Sequence, residues 1–152
     1  MRILYAETSA YAPSSAHFLE ALEAGAARGE LHKYYSQASV LVLPSIQEGL
    51  ALVQAQAMAC GVPVIASENT GAADLFTDGV EGFIVPIRDA GAIREKILAL
   101  YENPAMREQM GEAALARVRK IGGWDDYGVR AADYYRQALE TRVGGANANS
   151  LR

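Results

Sequence analysis

Glu48 and Gly49 stand just ahead of a run, from about Ala51 to Cys60, that reads as a helix. The first amides of any helix have no acceptor within it. No Ser, Thr, Asp or Asn stands directly before Ala51 to cap them. Gly49 leaves room for a ligand to approach the backbone. Free amides, a positive dipole end and a glycine together suit an anion such as a diphosphate. Glu48 fits this picture only at one remove, because a carboxylate repels a phosphate it touches. A little further off, it would accept hydrogen bonds from the hydroxyls of a sugar. Alternatively, it satisfies the helix N–H groups itself. The local pattern leaves both readings open.

Such a helix start is useful where a parallel sheet ends, since ligands of open α/β sheets sit beyond the carboxyl ends of the strands. Ser39–Pro44 supplies that strand: its centre is continuously apolar, as a strand covered on both faces should be. Arg2–Ala6, Val62–Ala66 and Gly82–Pro86 read as three more strands. Between them lie helical patterns. Ser15 could cap one carrying Phe18, Leu19, Leu22 and Ala26. A second, short helix holds Leu31, Tyr34 and Tyr35, and another runs over 71–76. Asp89 caps a helix with Ile93, Ile97, Leu100 and Tyr101 on one face, and Asn103-Pro104 opens the next, lined by Met106, Met110 and Ala113. Gly122-Gly123 breaks that helix, and Trp124 begins the last one. Tyr127 and Tyr134 on its face are expected to pack on the sheet; if they do not, dimerisation through an exposed aromatic patch with Trp124 and Tyr135 becomes the reading. Strands alternating with helices predict an α/β class, a three-layer Rossmann-like parallel sheet of about four strands with flanking helices. The first strand is expected to pair beside Ser39–Pro44 and cover its edge.

Composition narrows the partners. The chain has 152 residues, 51% hydrophobic and 21% charged, with a net charge of −4. That balance fits a globular domain and argues against nucleic acid, which needs a basic face. Cys60 is a single cysteine in an apolar helical run, which reads as a small buried hydrophobe. His17 and His32 lack metal-ligand spacing and read as packing or surface residues. No secretory signal and no membrane-length apolar run is present, so a cytoplasmic, soluble protein is expected, peripheral to the inner face of the membrane if its acceptor lies there.

Several segments, in order and at their spacing, carry a resemblance: Leu43-Pro44-Ser45-Ile46-Gln47-Glu48-Gly49-Leu50-Ala51-Leu52-Val53, then Ala57 to Ala66, Asn69-Thr70-Gly71, and Asp78 to Pro86. The run from Leu31 to about Leu139 resembles the later half of the C-terminal, donor-binding domain in family 4 of the retaining glycosyltransferases, enzymes of the two-lobed GT-B fold. The resemblance implies binding of a nucleotide sugar and its transfer, with retained configuration, to a saccharide or lipid-linked acceptor. It implies no cofactor and no metal. In the family pattern two glutamates lie eight positions apart. The first matches Glu48, which would contact the hydroxyls of the donor sugar and serve as the catalytic residue. The second, a ribose contact, matches Gln56, a neutral and weaker acceptor. Gly49, Leu50, Ala51 and Leu52 match the segment whose backbone faces the donor phosphates, with Ala51 where a glycine is common.

The family's glycine-rich loop and Arg/Lys pair have no match in residues 1–30, which look more like the start of the family's N-terminal domain. The expected organisation is therefore a strand–helix unit of uncertain origin over 1–30, the donor-binding domain over 31–142 and a disordered tail over 143–152, as an internally deleted or truncated enzyme would have. Such a chain would need a second lobe for efficient transfer. The alternatives are a non-enzymatic nucleotide-sugar-binding module, or an inactive fragment or assembly partner of a full transferase.

Overall fold

A computed structural model describes residues 1–5 and 31–148; the helix expected from Ser15, with His17, lies outside the described residues. Four parallel strands form one sheet in the order β1 (Ile3–Tyr5), β2 (Val40–Leu43), β3 (Val64–Ser67) and β4 (Gly82–Val85). The register pairs Ile3 with Val40, Leu41 with Val64 and Ser67 with Val85. As expected, β1 lies beside β2 and covers its edge. With all strands parallel, their carboxyl ends share one rim of the sheet. The loops that follow β2, β3 and β4 emerge there.

Every residue of β2 and of β3 is buried, which explains their unbroken apolar sequence. Side chains alternate between the two faces. Val40, Val42, Ile65 and Val85 point to one face and form a core with Leu100 and Met110. Those two residues come from α4 (Ala90–Glu102) and α5 (Pro104–Ile121). Between those strands and helices, Phe83, Ile93, Ile97 and Met106 complete the packing. Leu41, Leu43, Val64 and Ala66 point to the other face, where α2 (Leu52–Ala59) contacts β2 and β3 and α1 (Leu31–Tyr35) contacts α2. Each buried Val, Leu or Ile contributes about 1.5–3 kcal/mol. The result is the three-layer arrangement expected. A short 3-10 turn (Glu68–Thr70) and α3 (Ala72–Leu75) connect β3 to β4.

The helix starts follow their capping residues. Asp89 Oδ1 accepts from Ala92 N at 2.8 Å, and Asn103 Oδ1 accepts from Met106 N at 3.0 Å. The chain divides into two compact units, Met1–Val118 and Arg119–Arg152. The second holds the Gly122-Gly123 break and α6 (Trp124–Ala148). Gly122 has φ 82, and Asp126 in the first turn of α6 accepts from Gly123 N at 2.8 Å. Two expectations need correction here. α6 runs on to Ala148, past the point where a disordered tail was expected; once a helix is nucleated, each added residue costs little, so Gly144 and Gly145 alone do not stop it. Residues 149–152 lie outside the described residues. Tyr127 and Tyr134, expected to pack on the sheet, are 59% and 72% exposed. They flank Arg130 and Ala131 around a shallow hollow of about 260 Å³ on α6 itself.

Candidate functional site

The loop from Pro44 to Ala51 leaves β2 at the carboxyl rim, and α2 starts where it ends. Ala51 is the N-cap, with φ −73 and ψ 105, and offers no side-chain acceptor. Among the described residues, no acceptor meets the N–H groups of Leu52 and Val53. Gln54 N is satisfied by Ala51 O at 3.1 Å. The front of α2 therefore carries open donors and the positive end of the helix dipole. A Cβ added to Gly49 would meet nothing within 4 Å. Among the described residues, nothing packs into that space. Ala51, by contrast, is 6% exposed, so its methyl group is packed inside and not over the amides.

The neighbouring loop holds this turn in place. Glu48 N donates to Asn69 O at 2.8 Å, and Ala51 N to Thr70 O at 3.4 Å. Asn69 Nδ2 donates to Ile46 O at 3.3 Å, and the Ser67 hydroxyl donates to Ser45 O. From the helix side, the buried Gln54 amide donates to Thr70 O at 2.8 Å, while Thr70 Oγ1 donates to Ser67 O at 2.7 Å. Gly71 closes the arrangement. It is in the left-handed region at φ +70, and a Cβ there would lie 2.5 Å from Gly49 O and 3.1 Å from Leu50 Cα. Only glycine allows the two loops to approach so closely. Among the described residues, Ser45 Oγ and Gln54 Oε1 are buried beside this network with no hydrogen-bond partner.

The structure gathers the predicted site residues along one path. Glu48 is half-buried in the turn, Gly49 and Leu50 are exposed, and Leu52 begins the helix, 52% exposed. Gln56 lies one turn further along α2, on the same face as Leu52, and is also exposed. Its carbonyl Oε1 accepts from the hydroxyl of Tyr35 at 3.1 Å. Tyr35 itself is buried, which pushes its pKa up to about 12, with Cys60 adding to the shift. Cys60, expected to be a small buried hydrophobe, is only half-buried, next to Gly61 where the helix ends, and this partial burial raises its thiol. His32 is exposed on α1. Among the described residues no group of three or more His, Cys, Asp or Glu side chains could hold a metal ion.

Sequence reasoning did not assign supporting roles to Ser67, Asn69, Thr70 and Gly71, although Asn69-Thr70-Gly71 stood among the segments of the resemblance. Nor did it find Tyr35 as the partner of Gln56, because the two are distant in sequence. It also passed over Arg88, which follows β4 at the same rim, is exposed, and holds φ 59 without being glycine. The adjoining Ile87 N donates to Glu68 Oε1 at 3.3 Å, which ties the loop after β4 to the 3-10 turn after β3.

The family model described as glycosyl transferases group 1 matches residues 17–117. The chain belongs to that family. A D-inositol 3-phosphate glycosyltransferase of Kribbella flavida is 36% identical over 114 residues, 75% of this chain and 27% of the relative. A counterpart from Streptomyces bingchenggensis is 36% identical over 110 residues, 72% of this chain and 24% of that protein. The chain thus spans about a quarter of the length of the curated relatives it matches. Among solved structures, sucrose-phosphate synthase from Thermosynechococcus elongatus superposes with a TM-score of 0.68 at 27% identity, over 91% of this chain and 38% of that one. HepE of Anabaena, solved in complex with UDP-glucose, gives 0.69 at 18% identity, over 89% and 40%. The fold is the Rossmann-like α/β arrangement of GT-B glycosyltransferases. No helix among the described residues is long and apolar enough to cross a membrane.

Proposed function

We propose that this chain forms the donor side of a retaining glycosyltransferase of the family-4 kind: it binds a nucleotide sugar and presents the sugar for transfer to a saccharide or lipid-linked acceptor. The observation that carries the reading is the front of α2. Among the described residues its amides at Leu52 and Val53 meet no acceptor and nothing fills the space over Gly49, and Glu48 stands one residue earlier in the same turn. A diphosphate seated against those amides would complete their hydrogen bonding. As the bond from the anomeric carbon to the diphosphate breaks, negative charge grows on the leaving group, and the fixed donors and the helix dipole stabilise it without having to reorganise. Glu48, set back from the amides, accepts from sugar hydroxyls and holds the ring in line for reaction. Gln56, lower on the same face of α2, meets the ribose. The acceptor would approach from across the cleft, on a second lobe. The reaction is placed in the cytoplasm, at the inner face of the membrane where the acceptor is lipid-linked.

Calorimetric titration with UDP, GDP, UDP-glucose and GDP-mannose tests the donor site. One of the sugar nucleotides is expected to bind more tightly than its free diphosphate, and Glu48→Ala to remove that increment. Absence of binding by all four would refute the reading. Release of free nucleotide from the bound donor on addition of an acceptor would establish transfer; D-inositol 3-phosphate, named for the relatives, is the first acceptor to supply.

A further inference from the structure

We propose that Tyr35 is a positioning residue: its buried hydroxyl fixes the Gln56 side chain so that the amide nitrogen, and not the carbonyl oxygen, is offered to a bound nucleotide. The inference rests on the reading of Gln56 as the ribose contact and deepens it. Tyr35 lies on α1 at 2% exposure, and Gln56 lies exposed on α2, against which α1 packs. The phenolic hydrogen, shut away from water, needs an acceptor, and Gln56 Oε1 receives it at 3.1 Å. A half-turn of the amide would set –NH2 against the phenol. The phenol oxygen could then accept an N–H, but an amide nitrogen does not accept, so the buried phenolic hydrogen would lose its acceptor. The amide is therefore held with its oxygen toward Tyr35 and its two N–H donors elsewhere. Burial also raises the phenol's pKa to about 12, so the proton that enforces this orientation stays in place throughout the neutral range.

A ribose hydroxyl meeting these N–H donors accepts from them. A carboxylate at position 56 would behave differently, because its two oxygens are equivalent and no orientation has to be chosen. That difference separates positioning from simple packing. Tyr35→Phe is expected to weaken UDP binding three- to tenfold. The same change should have little effect in a Gln56→Glu background, in a Gln56→Ala background, or with 2′,3′-dideoxy-UDP as the probe. Equal losses in all of these settings would show that Tyr35 acts only on structure and would overturn the proposal. Nitrogen-15 NMR of the full chain reads the orientation without nucleotide. The side-chain NH2 pair of Gln56 is expected to shift in Tyr35→Phe, and an unmoved pair overturns the proposal even where UDP binds. A shifted pair in a protein that binds no nucleotide would instead refute the donor-site reading, and with it the ribose role assigned here.

Discussion

Gly71 is the point at which the loop after β3 presses on the loop after β2, and replacing it by alanine tests whether that contact shapes the site. Two separate costs follow from the geometry. At φ +70 a non-glycine residue is in the left-handed region, which costs about 1–2 kcal/mol. The new Cβ would also lie 2.5 Å from Gly49 O, a separation that real Cβ atoms do not show, and the neighbour is backbone that cannot swing aside. Overpacking of this sort costs about 1–3 kcal/mol. Gly71→Ala should therefore lose about 2–5 kcal/mol. Gly79→Ala provides the control: it has φ +77 but nothing within 4 Å of its added Cβ, so it bears only the backbone cost. Urea unfolding of both variants gives the steric contribution by difference. If Gly71→Ala folds, its Gly49–Leu50 backbone must be displaced, and UDP binding should fall at least tenfold while Gly79→Ala binds as the parent does. Equal stability losses in the two variants, or a destabilised Gly71→Ala with unchanged UDP affinity, would refute the claim that this contact sets the donor turn.

Other variants probe the parts separately. Glu48→Ala should weaken UDP-glucose by roughly 10–100-fold, the worth of a charged hydrogen bond, with little change for UDP, as measured by calorimetry. Gln54→Ala removes a fully buried side chain and its bond to Thr70 O, and should cost about 2–4 kcal/mol in urea unfolding. Arg88→Gly relieves a left-handed arginine at φ 59 and should raise stability by up to about 1 kcal/mol, the strain relieved less the entropy that glycine loses on folding. Tyr35 favours its protonated form in the folded state, about 12 against 10.0 when unfolded, so its contribution is complete below pH 10 and is lost as the pH rises from there through about 12. The urea midpoint of the parent should fall across that window more than that of Tyr35→Phe.

What could be read from the chain beforehand follows the range of the interactions involved. Val40–Leu43 and Val64–Ser67 are buried on both faces, so their composition alone marks them as strands, and Asp89 and Asn103 mark helix starts through bonds that span only three residues. The front of α2 was legible for the same reason: the lack of a capping side chain is a local fact. The brace that holds it was not. Ser67–Ser45, Asn69–Ile46 and Gln54–Thr70 join positions that only the sheet brings together, and in all three the acceptor is a backbone carbonyl between strands, on a path no residue type announces. The aromatic face of α6 failed differently. Tyr127 and Tyr134 have the spacing of a buried stripe, but spacing alone does not say whether anything covers it, and both side chains are exposed.

The turn ahead of α2 is held in a way that separates its stability from the binding proposed for it. A helix start is usually secured by its own N-cap side chain, worth about 1 kcal/mol, and such a side chain would lie across the amides that an anion needs. In this chain Ala51 contributes no such group, and the turn is instead fastened sideways. The backbone N–H groups of Glu48 and Ala51 are committed to Asn69 and Thr70, and the Gln54 side chain grips Thr70 from within the core. These bonds lie behind the turn and leave the N–H groups of Leu52 and Val53 forward. The rim can therefore be ordered before any nucleotide arrives, which limits the ordering cost on binding. It also explains why a glycine is demanded at 71, where loop meets loop, while no described residue packs over Gly49.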